Sequence, residues 1–259
     1  MGHRILGTLP KTQRWVRVVR LLHASADSAK TVADASAHAA EGRLRSLAND
    51  PSLTYAFWLL TRVVSASRHP DFLDRLERLG LSLGSDQSAI RLIAAVSERV
   101  RAEVRRHPES GPFGEIAAQA LTRALAETVG RYTPSLFGTS AEDMQQATRA
   151  HATRERFGDV AQRFFGAFLS RALQSFVDRE LASTVGPDRP RRTVDETSVF
   201  LDRLDLHTLQ SAAIVHDFAG SWFSKRDWER AGAIPPDDAR RFVAVALRKL
   251  RTELRREAS

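Results

Sequence analysis

His207 and the pair His216-Asp217 carry the side chains that a hydrolytic metal centre needs. Imidazole nitrogens and a carboxylate would hold the ion, and the ion would activate water against a phosphate ester. The spacing argues against a shared ion. Nine residues are about 2.5 helical turns, which sets the two imidazoles on opposite sides of one helix. His151 would have to serve as a distant ligand, and no spacing ties it to the pair. The plainer reading is a histidine near a helix end with an acidic neighbour. A second candidate is Arg101-Ala-Glu-Val-Arg-Arg-His107, where Arg101 would hold phosphate and His107 would do acid/base work. Pro108 follows directly, so His107 falls at a helix end.

Arg followed six residues later by His resembles the spacing used by helical ribonucleases of the HEPN type. The resemblance covers seven residues, and Ala102 stands where that pattern usually carries a polar group. Arginine is so frequent here that the spacing arises readily by chance. Other catalytic signatures are missing: there is no Gly-rich phosphate loop, no nucleophile elbow and no His-Glu-x-x-His. The carboxylate pairs Asp71/Asp74 and Asp237/Asp238 fall at helix starts, where negative charge favours the macrodipole. Asp202/Asp205 lies beside Arg203 on a solvated face. The chain has no Cys, which excludes thiolate zinc sites, Fe–S clusters, thiol nucleophiles and disulfides. No cofactor is called for, and a non-catalytic chain is the expectation.

Basic helices are the strongest positive signal. The formal charge is +8, and Lys occurs only at 11, 30, 225 and 249, so nearly all 39 cations are arginine. With abundant Ala this reads as a GC-rich bacterial genome, which accounts for part of the basicity. In the last helix Arg241, Arg248, Arg251 and Arg255 recur at intervals of seven, three and four, opposite an apolar face of Val243, Ala246, Leu247, Leu250 and Leu254. Such a stripe suits a phosphate backbone. It equally suits a solvated face whose cations favour the helix C-terminus. The loop Arg189-Pro-Arg191-Arg192 is a second candidate, and the first helix, with Arg14, Arg17 and Arg20, a third.

Two of the four tryptophans, Trp222 and Trp228, fall in HDFAGSWFSKRDWERAG, beside Lys225 and Arg226. The structural reading places both in a packed corner with Phe218 and Phe223, ahead of a short helix capped by Ser224. The functional reading stacks a base on Trp222 or Trp228 beside Lys225, Arg226 and Arg230.

The elements that must position these residues are helices. Apolar residues recur at helical period almost throughout, and alternating strand patterns are missing. Trp15, Val18, Val19 and Leu22 share a face of a helix over 11–23, and an Ala-rich helix follows over 28–48. Asp50-Pro51 opens a third helix, Asp86 or Ser85 another, and Ser140 with Asp143 a further one. Long helices run over 154–185, 193–218 and 236–257, the second opened by a capping box, Thr193 to Glu196. Phe113-Gly-Glu-Ile-Ala is echoed by Phe157-Gly-Asp-Val-Ala at two helix starts, too few copies for a solenoid.

The expected fold is all-α: a compact multi-helix bundle of about nine helices in one domain over 1–259, with 188–259 separable as a C-terminal helical module after a core of 1–187. No segment reads as a signal peptide or membrane span, so a cytoplasmic address is the default. Two functional readings stand level. One is a non-catalytic subunit of a bacterial assembly, in phage defence or DNA processing, that contacts DNA or RNA backbone. The other is a protein–protein adaptor without nucleic-acid contact. The HEPN-like ribonuclease and the metal-dependent phosphohydrolase stand behind both.

Overall fold

A helix start leaves N–H groups without partners inside the helix, and the sequence supplies acceptors for them. The Asp50 carboxylate accepts from the Leu53 N–H at 2.8 Å, with Pro51 in the first turn. Ser140 and Asp143 form a reciprocal capping box, and the Thr153 hydroxyl accepts from Arg156. Ser88, rather than Asp86 or Ser85, caps its helix through Arg91; Asp86 lies two residues earlier and accepts from the Ser88 N–H.

The computed structural model describes residues 13–24, 29–132, 140–186 and 194–256. In chain order the helices are α1 (Gln13–Ala24), α2 (Ala29–Ala39), α3 (Glu41–Ser46), α4 (Pro51–Ala66), α5 (Phe72–Arg78), α6 (Ala89–Val104), α7 (Pro112–Glu127), α8 (Ala141–Arg149), α9 (Arg154–Ser183), α10 (Val194–Ser211), α11 (Ala213–Glu229) and α12 (Pro236–Arg256). The described residues contain no strand, so the protein is all-α. The helix count is twelve among these residues, not nine. The stretch expected as one helix over 28–48 divides at Ala40 and ends in a 3-10 turn. The helix expected over 193–218 breaks at Ala212, and its second piece runs on through Ser224 to Glu229. No described helix is long and apolar enough to cross a membrane.

The thirty-residue α9 is the central strut, about 45 Å long. α7, α10 and α11 pack along it, while α12 lies against α4 and α11. Phe157, Phe164, Phe165 and Phe168 of α9 are fully buried. Phe57 of α4 sits among them and stacks on Phe242 of α12 at 4.7 Å. Phe157 stacks on Phe223 of α11 at 3.9 Å. The two echoed Phe-Gly starts have a shared physical role. A Cβ on Gly114 would lie 2.7 Å from Val104, and one on Gly158 would lie 2.8 Å from the His216 carbonyl. Each glycine lets a helix start approach its neighbour closely.

Candidate nucleic-acid interface

α12 has a strongly two-sided sequence. Ala239, Phe242, Val243, Ala246, Leu247, Leu250 and Leu254 are all buried. Arg241 and Arg248 project from the opposite side and are exposed. Seven residues on a helix return to nearly the same direction, so the two guanidiniums are displayed about 10 Å apart along the axis. Neither has an acidic partner among the described residues. Lys249 is exposed too, its ammonium 5.3 Å from the Phe218 ring centre. Arg240 pairs with Asp237 at 3.3 Å. Arg251, the third member of the expected stripe, is half-buried on its flank. The Arg255 side chain lies outside the described residues, as do Arg189, Arg191 and Arg192 with the whole of their loop.

α11 runs beside α12, joined to it by the turn 230–235. Along the contact, Phe218 and Trp222 meet Phe242 at 5.1 and 4.5 Å, and Arg226 and Arg230 approach Asp238 at 3.8 and 3.6 Å. Both ion-pair separations exceed hydrogen-bond length. The helix continues straight through Ser224, and this separates the tryptophans. Trp222 packs inward, 5.7 Å from Phe57 as well. Trp228, six residues on, is 85% exposed. The packed-corner reading therefore holds for Phe218, Trp222 and Phe223 and fails for Trp228. Lys225 is exposed, one turn from Trp228 and 3.8 Å from Glu229. Arg226 is more tightly engaged, 2.8 Å from Glu229.

The end of α11 is anchored to α4 by contacts distant in sequence. The buried Asp227 carboxylate accepts from Arg68 at 2.7 Å and from the Ser65 hydroxyl. The Trp58 indole N–H donates to the Ile234 carbonyl at 2.9 Å. Ala231 and Gly232 take positive φ, of 47° and 79°, and the Gly232 N–H returns to the Asp227 carbonyl to close the helix. A Cβ on Gly232 would lie 2.9 Å from the Ser65 hydroxyl. This anchor fixes the turn that leads from the end of α11 into α12.

The hydrolytic candidates fall elsewhere. Arg101 is held by Glu115 through two nitrogens at 3.1 to 3.3 Å. His107 lies between Glu109 at 2.9 Å and Glu103 at 3.5 Å. His207 is buried, 3.3 Å from Asp34 of α2. His216 points away from it toward Asp159, at 3.3 Å, with Asp217 at 3.4 Å on its other nitrogen. Among the described residues no group of three or more His, Asp or Glu side chains is arranged to hold a metal.

Two polar clefts meet at Asp159. One of ≈ 360 Å³ is lined by Glu127, Arg131, His151, Arg156 and Arg163. The other, of ≈ 390 Å³, is lined by Gln162, His216, Asp217 and Glu253. Burial pushes the His151 imidazole below the usual histidine range, and Arg156 adds to this while Asp159 opposes it. Burial alone would raise the Glu127 carboxyl, but hydrogen bonds from Arg123 and Arg163 outweigh it and hold the group low. The first cleft thus balances its carboxylates against Arg131, Arg156 and Arg163, while the second, with Asp159, Asp217 and Glu253, is acidic; neither resembles the cationic outer face of α12. The chain matches no protein-family model, no curated protein and no solved structure.

Proposed function

We propose that this protein is a non-catalytic helical subunit that contacts a nucleic-acid backbone through the outer face of α12. The observation that carries the reading is the pair Arg241 and Arg248, exposed, co-directional and without acidic partners among the described residues, on a helix whose other face is buried. Guanidiniums held this way lose little on meeting phosphate, since no ion pair with a described residue has to break first. By contrast, Arg101 and His107 have carboxylates around them, a poor setting for a phosphate diester. The test is fluorescence anisotropy with labelled DNA and RNA at several salt concentrations. Binding that weakens with salt, and that Arg241→Ala with Arg248→Ala reduces, supports the reading; a salt-independent or absent signal removes it.

One observation favours the adaptor reading instead. Val199 and Leu206 of α10 are 49% and 56% exposed and lie seven residues apart, hence on one side of that helix. A protein partner docked there would remain bound after nuclease treatment and in high salt.

A further inference from the structure

Six large hydrophobic side chains are exposed among the described residues, and α10 holds three of them, Val194, Val199 and Leu206. α1, α6 and α11 hold one each, which is ordinary for a surface. Val199 and Leu206 differ because they share one side of their helix with an ordered set of polar neighbours. An aspartate stands four residues before each, Asp195 and Asp202, and Arg203 or Gln210 stands four residues after. Steps of three, four and seven keep these six side chains within about a third of the helix circumference. All six are exposed, while Phe200, Leu204, His207, Thr208 and Ser211 are buried on the other side. The helix is held from behind as well. Gln162 of α9 donates to the Leu209 carbonyl at 3.0 Å, and Arg123 of α7 meets the Asp205 carboxylate at 2.6 Å.

The order of these residues is self-complementary. A two-fold axis between Asp202 and Arg203 would set an antiparallel copy of α10 so that Val199 faces Leu206, Asp202 faces Arg203 and Asp195 faces Gln210, each contact occurring twice. That reciprocity is what a two-fold interface between identical chains requires. Two parallel copies in register would instead oppose Asp202 to Asp202 and Arg203 to Arg203, which is repulsive. The two aspartates also make this face a poor surface for phosphate, in contrast to the outer face of α12.

From this we infer that the protein pairs with a second copy of itself through the outward face of α10, as an antiparallel two-fold dimer in which Val199 packs on Leu206 and Asp202 bonds to Arg203 of the other copy. The inference goes beyond the nucleic-acid reading, which concerns α12, and it gives the exposed face of α10 its occupant. A single helix pair is a small interface, below the roughly 1,200 Å² of stable specific complexes, so a dissociation constant of about 1–100 μM is expected.

The experiment is sedimentation of the full chain, treated with nuclease so that no nucleic acid bridges copies, over concentrations on either side of that range. The parent is expected to shift from one chain mass to two as concentration rises. Leu206→Asp should raise the dissociation constant at least about tenfold, and so should Asp202→Arg or Arg203→Asp alone, since each reversal sets like charges opposite one another twice. The swap Asp202→Arg/Arg203→Asp restores opposite charges across the axis and should return the dissociation constant to within about threefold of the parent's. Recovery in the swap separates loss of pairing from loss of fold. Arg241→Ala/Arg248→Ala should leave the dimer unchanged, so the nucleic-acid reading can fail without this inference failing. A parent that stays at one chain mass throughout overturns the inference. A dimer indifferent to Leu206→Asp and to both reversals overturns it as well, and a swap that does not recover overturns the antiparallel arrangement.

Discussion

Replacing Asp227 by Ala should release the end of α11 from α4. The carboxylate is buried and accepts from Ser65 and from Arg68. A hydrogen bond to a charged group is worth about 1.5–3 kcal/mol. Two considerations reduce that figure here. The Arg68 side chain is 46% exposed and regains water once its partner is gone, leaving a contribution of about 1 kcal/mol. The Ser65 hydroxyl, fully buried, lies 3.2 Å from the Gly232 carbonyl and can turn to it, which leaves about another 1 kcal/mol. With the small void added, the expected loss is about 2–3 kcal/mol, a fall in melting temperature of about 4–10 °C for a chain of this size. Thermal unfolding followed by circular dichroism measures it. Ser65→Ala should cost about 1 kcal/mol alone, and the double variant less than the two singles together, because both remove one bond. A melting temperature for Asp227→Ala within about 1 °C of the parent, or strict additivity with Ser65→Ala, refutes the anchor.

Gly220→Ala should destabilise, since its Cβ would lie 1.8 Å from the Arg154 carbonyl oxygen, a backbone atom that cannot step aside. The gain in helix propensity, about 1 kcal/mol, is outweighed and a net loss of about 2 kcal/mol is expected in a denaturant titration. Gly42→Ala, with nothing within 4 Å, serves as the control and should be neutral or slightly stabilising. For His151 the folded imidazole titrates below its unfolded value, so the unfolded chain binds the proton first. Stability from this group is present at neutral pH and is lost as pH falls through the ordinary histidine range toward the folded value. Melting at pH 7 and pH 5 should therefore show a steeper decline for the parent than for His151→Gln, and equal declines would contradict it.

Short-range features of the fold were legible in the residues. Asp50-Pro51, Ser140 with Asp143 and the apolar face of α12 are settled within one or two turns, and the structure follows them. The Trp222–Trp228 region was not legible to the same depth. Ser224 is a good cap residue, yet α11 passes through it, since Phe223 packs on Phe157 and Asp227 bonds to α4, contacts 66 and 162 residues away. Continuity rotates Trp222 inward and leaves Trp228 outside, a distinction that a staple-like corner would erase. The break at Ala212 was equally hidden, for Ala is the strongest of helix formers and tertiary packing overrode it. At the candidate interface, the spacing of Arg241 and Arg248 was readable from the helical period. That neither meets an acidic partner among the described residues was not, because pairings such as Arg123 with Asp205 link α7 to α10 across 82 residues.

The most direct measurement of the central claim is the salt dependence of oligonucleotide binding by the parent and by Arg241→Ala/Arg248→Ala. Each phosphate contact adds roughly 0.7 to the slope of log affinity against log salt on a single strand, and roughly 0.9 on a duplex. With about four or five contacts the parent slope should be roughly −3 to −5, and removing two arginines should make it shallower by about 1.4 on a single strand. An unchanged slope in the double variant would contradict the assignment of α12 as the phosphate-contacting face.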